Sequence, residues 1–323
     1  MRAFLLFVVI AALLAGLFTA YSFYQWQKPS VAAESIFIIE PGNGTEFILK
    51  QLHQQQLAPA PWSIALPLLY EGKWRSLKAG EYAFEAGLSA RDILERIGQG
   101  KVVVHKVTVP EGFSVAQVRA LLAAEPLLVG ELPAFIPEGS LFPDTWLFQR
   151  GDTRASVINR MQVRMQKELQ AAWDTRDEGL PLASPQQALI LASIVEAETG
   201  IEHERGEVAG VYLNRLRLPM RLQSDPTVAY GIAPGGMKRM LTTGDLGRDT
   251  PYNTYTRDGL PPGPIANPGL ASLKAVMHPA RTNAIYFVAT GNGGHRFAAT
   301  HKEHEANVRA YRAVQRLQRA KAK

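Results

Sequence analysis

The chain of 323 residues contains no cysteine. Disulfide bonds, thiolate metal sites and cysteine nucleophiles are therefore excluded. Glycine and proline, with 27 and 21 residues, are too few for a collagen-like or low-complexity chain. Hydrophobic residues make up 46% and charged residues 20%, close to the globular average, which excludes wholesale disorder. A chain of this length has room for about two domains.

The sequence also lacks the motifs of several enzyme classes. No Walker or dinucleotide fingerprint occurs, and the glycine cluster at 291–294 leads into a predicted β-hairpin rather than a helix. Ser193 lies in an apolar helical segment without the Gly-x-Ser-x-Gly motif of serine hydrolases. His301 and His304 belong to no His-Glu-x-x-His motif and have no evident third ligand, so we predict a solvated helix start. We therefore expect neither a metal nor a cofactor.

Positive charge is confined to one end of the chain. Residues 302–323 carry a net charge of +5 out of +6, so the rest of the chain is nearly balanced. In this tail, Val308, Tyr311, Val314 and Leu317 recur at helical spacing, which predicts a docked amphipathic helix with a solvated basic face. Stacking aromatic residues are not interleaved with the basic ones, so we expect no nucleic-acid partner.

The N-terminus carries a long uncharged run. Ala3 to Tyr24 comprises 22 residues, and a helix of that length spans ~33 Å, enough for a bilayer core. Tyr21, Phe23, Tyr24 and Trp26 at its far end resemble an interfacial aromatic belt. We predict a transmembrane anchor over residues 3–24.

A cleaved signal peptide is the alternative, because residues 31–33 resemble a cleavage site. The apolar run is longer than the ~7–15 residues of a signal peptide, which favours a retained anchor. Residues 1–2, with Arg2, would form a cytoplasmic stub, and the bulk of the chain would lie outside the cytoplasmic (inner) membrane. Residues 25–35 would then link the anchor to the first folded unit, with a reach of at most ~35–40 Å.

Residues 36–123 repeat one phrase three times. The phrases begin at Ile36, Glu81 and Lys106, and each has a β-type run, a glycine turn, a Ser/Thr cap and an amphipathic helical segment. Such units loosely resemble the LysM type of glycan-binding module, which we predict over residues 36–125. A plain α+β packing module remains an equal alternative.

A helix with clear boundaries follows in the second half of the chain. Ser184 is a good N-cap, Pro185 suits the first helical position, Gln187 would complete a capping box, and Gly200 is a natural stop. Residues 188–195 are apolar on every face apart from one serine, as in a buried core helix.

Two carboxylic acids, Glu196 and Glu198, occupy the last turn of this helix. Burial and the negative end of the helix dipole both oppose ionisation of carboxyl groups at such a place. A carboxylic acid that stays protonated near neutral pH can act as a general acid. The alternative, that the two residues simply mark where the helix reaches solvent, has equal weight from this helix alone.

The C-terminal third is rich in rigid loops that carry amides, hydroxyls and aromatic rings, at 223–227, 252–255 and 259–269. Such loops suit a sugar-binding cleft, because rings stack on pyranose faces and amides bind hydroxyls. Structural Ω-loops are the alternative, which these segments alone would favour.

Five motifs now form a series: Leu191 to Thr199, Val211 to Leu216, Met220 to Thr227, Tyr252 to Tyr255, and Gly259 to Gly263. In content and order they resemble the endolytic murein transglycosylases of the YceG-like family. One departure is Ala197, where members often carry lysine.

The resemblance implies a lyase that cleaves the bond between N-acetylmuramic acid and N-acetylglucosamine in peptidoglycan strands and leaves 1,6-anhydro ends. The essential glutamate of the family falls on Glu196. Gln223, Asp225, Asn253 and Tyr255 are the residues that we expect to hold the sugars.

The prediction is an α+β protein with one transmembrane helix, a LysM-like module and a mixed α+β catalytic domain over residues 130–323. Nascent glycan strands from a membrane-bound cell-wall synthase are the expected substrate. A glycoside hydrolase that pairs Glu196 with Asp225 or Glu198 is one alternative. A membrane-tethered glycan-binding scaffold without activity is the other.

Overall fold

The computed structural model describes residues 1–321, and the chain divides into two units. The first comprises Met1–Lys106 and Leu147–Asp152, and the second comprises Val107–Trp146 and the chain from Thr153 onward. Both contain helices, and the strands form small two-stranded sheets. This mixture confirms the predicted α+β class. Lys323, part of the predicted basic tail and catalytic domain, lies outside the described residues.

The first unit is built around one antiparallel strand pair. Strand β1 (Ser35–Ile39) pairs with β2 (Gly80–Phe84) in a register that sets Ser35 opposite Phe84 and Ile39 opposite Gly80. The chain between the two strands forms two helices, and another helix follows β2. The elements are α1 (Arg2–Gln27), β1 (Ser35–Ile39), α2 (Thr45–Gln54), α3 (Pro61–Tyr70), β2 (Gly80–Phe84) and α4 (Ala90–Gln99).

Helix α1 is the one helix within residues 1–321 that is long and apolar enough to cross a membrane. Its last turns nevertheless belong to the core of the first unit. Trp26 is 1% exposed, and its indole Nε1 donates a hydrogen bond to Glu71 Oε1 at 3.0 Å. Val31 is also buried, and its amide donates to the carbonyl of Leu88.

Residues 25–35, which we expected to link the anchor to the first folded unit, thus include core residues of that unit. Burial of the large apolar side chains of Trp26 and Val31 holds this segment against the first unit.

The division between the two units falls within strands β3 and β4, which pair with each other. The third repeat phrase thus continues into the second unit. After β3, Ser114 caps helix α5 in a capping box with Gln117. The elements here are β3 (His105–Thr108), α5 (Val115–Ala123) and β4 (Thr145–Phe148).

Helix α7 is the centre of the second unit. Residues 188–195 are all buried, as predicted. Four helices pack against this helix: α6 (Arg154–Asp174), α8 (Arg205–Arg217), α9 (Asp225–Ile232) and α11 (Leu270–Met277). Ser184 caps it as predicted, by accepting a hydrogen bond from the Gln187 amide. The predicted capping box does not form, because the Gln187 side chain accepts from the amide of Ala183 instead. These helices are α6 (Arg154–Asp174), α7 (Pro185–Glu198), α8 (Arg205–Arg217), α9 (Asp225–Ile232), α10 (Thr243–Gly247) and α11 (Leu270–Met277).

The C-terminal part confirms the predicted hairpin and tail helix. Strands β5 (Tyr286–Ala289) and β6 (His295–Ala298) pair antiparallel, and α12 (His301–Lys321) packs on both. Three of the four predicted apolar contacts of the tail are partly buried, but Leu317 is 65% exposed. The hairpin turn still contacts α12 at this level through Gln318, whose side chain donates a hydrogen bond to the carbonyl of Gly291, so Leu317 is on the uncovered side of the helix.

Candidate active site

Glu196 lies in the last turn of α7 with only 5% of its side chain exposed. Its Oε2 atom accepts a hydrogen bond from the amide of Gly269 at 2.9 Å. Its Oε1 atom lies 3.4 Å from Nη2 of Arg205. Gly269 is the N-cap of α11, and Arg205 is the first residue of α8, so two helix starts fix the carboxyl group.

Arg205 connects Glu196 to a second carboxyl group. The same Nη2 atom lies 3.6 Å from Oε2 of Glu111, and the arginine side chain is only 10% exposed. Its Nε atom is buried and has no hydrogen-bond partner among the described residues. Both carboxyl groups therefore contact the Nη2 atom of the guanidinium, and the Nε atom contacts neither of them.

Glu111 follows β3 in the turn that precedes α5. Burial and the charge of Glu196 raise the pKa of Glu111, while Arg205 acts in the opposite direction. The packing here is close, since a Cβ atom on Gly269 would lie 1.7 Å from Glu111 Oε1. Glycine at position 269 therefore leaves room for the Glu111 carboxyl group in this position, next to the amide contact to Glu196.

Asn267 fixes the turn that carries Glu111. Its buried side chain donates to the carbonyl of Phe113 at 2.7 Å and accepts from the amide of Leu141 at 2.9 Å. The amide of Gly112 in turn donates to the Asn267 carbonyl at 3.0 Å. The proline- and glycine-rich loop at 259–269 therefore positions Glu111 as well as Glu196. Glu111 was not among the predicted site residues, and its only signal in the sequence is its place in the third repeat phrase.

Glu198 occupies a different environment from Glu196. Its Oε1 atom accepts hydrogen bonds from the Tyr212 hydroxyl and the Ser224 hydroxyl, both at 2.6 Å. Burial raises the pKa of Glu198, which favours its neutral form. The two acids of the last turn thus separate: Glu198 joins an internal hydrogen-bond network, and Glu196 joins Arg205 and Glu111.

The structure brings two of the predicted sugar-binding residues together. Asp225 begins α9, directly after Ser224, and its Oδ1 atom accepts a hydrogen bond from the Tyr255 hydroxyl at 2.6 Å. Burial and this contact with Asp225 raise the pKa of Tyr255, so the phenol stays protonated. Asp225 is exposed. The pair therefore places polar atoms at the surface. Ser224, the residue before Asp225, connects this surface to Glu198 through its hydroxyl.

The other two predicted sugar-binding residues have unlike surroundings. Gln223 is exposed and has a φ of 50°, and its amide donates to the carbonyl of Thr254 at 3.1 Å. Asn253 is fully buried, and its side-chain amide donates to the carbonyls of Leu246 and Arg248. Asn253 therefore orders the loop that presents Tyr255.

Comparison with known proteins identifies the family of the chain. The YceG-like family matches residues 37–310, which is most of the chain. The chain belongs to the YceG-like family. The resemblance predicted from the motif series is confirmed.

Relatives of this YceG-like chain carry the name endolytic murein transglycosylase. The one from Bacillus subtilis is 29% identical and covers 84% of this chain and 83% of its own length. The one from Streptococcus pneumoniae is 28% identical over 73% of this chain, which spans about half (51%) of that longer protein. A crystal structure of a YceG-like protein from Listeria monocytogenes is similar, with a TM-score of 0.53 and 28% identity over 85% of this chain and 99% of that one.

The two histidines considered as metal ligands lie in α12 of this YceG-like chain. His301 is exposed and pairs with Glu305, whereas the ring of His304 stacks on Tyr286 with centroids 4.9 Å apart. Within residues 1–321, no three histidine, aspartate or glutamate side chains cluster as metal ligands do.

Proposed function

We propose that the chain is an endolytic peptidoglycan lytic transglycosylase. It would cleave the bond between N-acetylmuramic acid and N-acetylglucosamine and leave a 1,6-anhydro end on the muramic acid. The observation that carries this proposal is the position of Glu196, held between the Gly269 amide and Arg205. The names of the relatives support the same activity.

In this mechanism, Glu196 acts first as an acid and then as a base. Its proton passes to the glycosidic oxygen as the bond from that oxygen to C1 breaks. The 6-hydroxyl of the same sugar then forms a bond to C1 and returns its proton to the Glu196 carboxylate. Because this nucleophile is already tethered near C1, a second carboxylate is not needed to activate water.

Arg205 and Glu111 would position the Glu196 carboxyl group. The Nη2 atom of the guanidinium lies beside Oε1 of Glu196, and Glu111 contacts the same Nη2 atom. The Gly269 amide holds Oε2, so both oxygens of Glu196 have a partner. A carboxyl group fixed in this way exchanges its proton at one place, as general acid catalysis requires.

Glycoside hydrolysis is the alternative reaction, and it needs a second carboxyl group beside Glu196. The structure favours a different residue for this role from those that we predicted. Glu198 is unsuited as a nucleophile or base, because burial raises its pKa and two hydroxyl groups occupy its Oε1 atom. Glu111, which shares Arg205 with Glu196, is the carboxyl group that could instead activate a water molecule. The reaction product distinguishes the two mechanisms.

The exposed Asp225 and the partly buried Tyr255, with Gln223, would bind the sugar hydroxyls. Helix α1 would anchor the chain in the cytoplasmic membrane with both units on the outer side, where a membrane-bound synthase delivers nascent strands. Two helices between antiparallel β1 and β2 support a LysM-like glycan-binding role for the first unit.

The decisive experiment is mass spectrometry of glycan strands digested by the purified chain. We expect new ends that are ~18 Da lighter than hydrolytic ends, because the tethered 6-hydroxyl replaces water. The Glu196→Gln variant is the control for contaminating enzymes, and a parallel digestion in EDTA should give the same products. New ends without the mass deficit would reject the transglycosylase and favour the hydrolase. If no cleavage depends on Glu196, the result would favour the third alternative, a glycan-binding scaffold without activity.

A further inference from the structure

Helix α3 exposes an apolar face in the first unit. Its ten residues, Pro61–Tyr70, include no charged side chain. One face, with Ile64 and Leu68, is fully buried in the core. The other face exposes large apolar and aromatic side chains: Trp62 at 60%, Leu66 at 37%, Leu69 at 56% and Tyr70 at 81%. A soluble domain rarely exposes so many large apolar side chains on one short helix.

This exposed face lies beside the end of α1. The indole of Trp62 stacks on Phe18 and Tyr21, with centroid distances of 6.3 and 6.0 Å. The ring of Tyr70 contacts Phe23 edge-on at 5.9 Å. The apolar surface of α1 therefore continues directly onto α3.

The position along α1 determines the depth of α3 in a bilayer. A hydrocarbon core of ~30 Å accommodates about 20 helical residues, and counting from Ala3 this reaches Ser22. Phe18 then lies within the core and Tyr21 at its boundary. Because Trp62 stacks on both, it must lie at the same depth.

Charged groups begin just beyond this level. Glu71 follows α3, accepts a hydrogen bond from Trp26, and pairs with Lys73 and Arg91. Trp26 lies four residues after Ser22 along α1, which corresponds to ~6 Å of rise. The ion pairs therefore lie at the level of the lipid headgroups or water, and the uncharged helix lies on the lipid side of them.

We infer that α3 is a second membrane-contacting element, with Trp62, Leu66, Leu69 and Tyr70 in the interface of the outer leaflet. The partner of this face is the lipid bilayer. The inference rests on the proposed anchoring by α1 and goes beyond it, because two contacts would fix the orientation of the first unit on the membrane. This face of the first unit would then be closed to glycan strands.

The absence of cysteine makes the test direct. Single cysteines at positions 13, 69 and 99 of the full chain would each carry one nitroxide label. Leu13 is exposed on α1, Leu69 is exposed on α3, and Gln99 is an exposed residue at the end of α4. The labelled chains are reconstituted into phosphatidylethanolamine and phosphatidylglycerol vesicles, and power-saturation electron spin resonance compares collisions with oxygen and with a water-soluble nickel chelate.

We expect the oxygen-to-nickel ratio at positions 13 and 69 to be at least ~3-fold higher than at position 99, because apolar oxygen partitions into lipid. A position-69 label that matches position 99, while position 13 is in lipid, would overturn the inference and leave the anchor intact. A position-13 label in water would overturn both. Circular dichroism of each labelled chain verifies the fold.

Discussion

Glu196 and Glu111 contact the same nitrogen atom of one guanidinium group, although 85 positions separate them in the sequence. Arg205 Nη2 lies 3.4 Å from the first carboxyl group and 3.6 Å from the second. The buried arginine therefore couples the last turn of α7 to the turn after β3. This relationship makes the second carboxyl group part of the site that we propose for catalysis.

Glu196→Gln should fold normally and lose cleavage, because the amide keeps the shape of the side chain but has no proton to exchange. We expect a loss of at least ~10²-fold in the rate of strand cleavage, measured by the release of anhydro ends. Thermal unfolding of the variant should remain close to that of the wild type. Cleavage at the wild-type rate would reject Glu196 as the acid.

Glu111→Gln should lower the cleavage rate ~10-fold, less than Glu196→Gln, because Arg205 loses one of its two carboxylate partners and Glu196 is held less firmly. The pH profile should change as well, since a carboxyl group that titrates beside Glu196 is removed. Glu131→Gln, at an exposed position of the same unit, is the matched control and should change neither property. An unchanged rate and pH profile in Glu111→Gln would show that Glu111 does not position the acid.

Gly269→Ala should reduce cleavage strongly without unfolding the chain. The added methyl group would lie 1.7 Å from Glu111 Oε1, so the carboxyl group or the start of α11 must move. Movement of the carboxyl group breaks the contact between Glu111 and Arg205, and movement of α11 disturbs the amide contact to Glu196. Gly247→Ala is the control, because a Cβ atom there meets no atom within 4 Å. Equal activity of the two variants in the strand-cleavage assay would contradict this account.

Glu198 should affect stability more than catalysis. Glu198→Ala leaves the hydroxyls of Tyr212 and Ser224 without their acceptor, so we expect a loss of ~1–3 kcal/mol in the free energy of unfolding. Glu198→Gln keeps an acceptor and should be milder. Denaturant unfolding of both variants measures the difference. A loss of cleavage in Glu198→Gln equal to that in Glu196→Gln would show that the two acids cannot be assigned separate roles.

The pH dependence of stability gives a second measure of Glu198. Its pKa in the folded chain is raised above the ordinary value of 4.5, so the folded state holds the proton more tightly than the unfolded state. The resulting stabilisation is complete below pH 4.5 and is lost as the pH rises through the folded pKa. Glu198→Gln lacks this titration, so the variant should gain stability relative to the wild type as the pH rises. A constant difference across that range would contradict the raised pKa.

The sequence by itself determined the helices whose length and ends depend on neighbouring residues. The apolar run determined α1, and Ser184, Pro185 and the apolar stretch at 188–195 determined α7, because capping and burial patterns act within a few residues of the chain. The motif series likewise determined the family. The capping-box prediction failed because the Gln187 side chain accepts a hydrogen bond from the amide of Ala183 and not from that of Ser184.

Only the tertiary structure decided how the acids of the candidate site differ. Glu196 and Glu198 share one helical turn, and their roles separate because the helix directs one towards Arg205 and the other towards Tyr212 and Ser224. The place of Glu111 beside them depends on the loop at 259–269, whose Asn267 holds the turn after β3. Contacts between segments so far apart in the chain arise from packing of the whole second unit, and no local pattern encodes them.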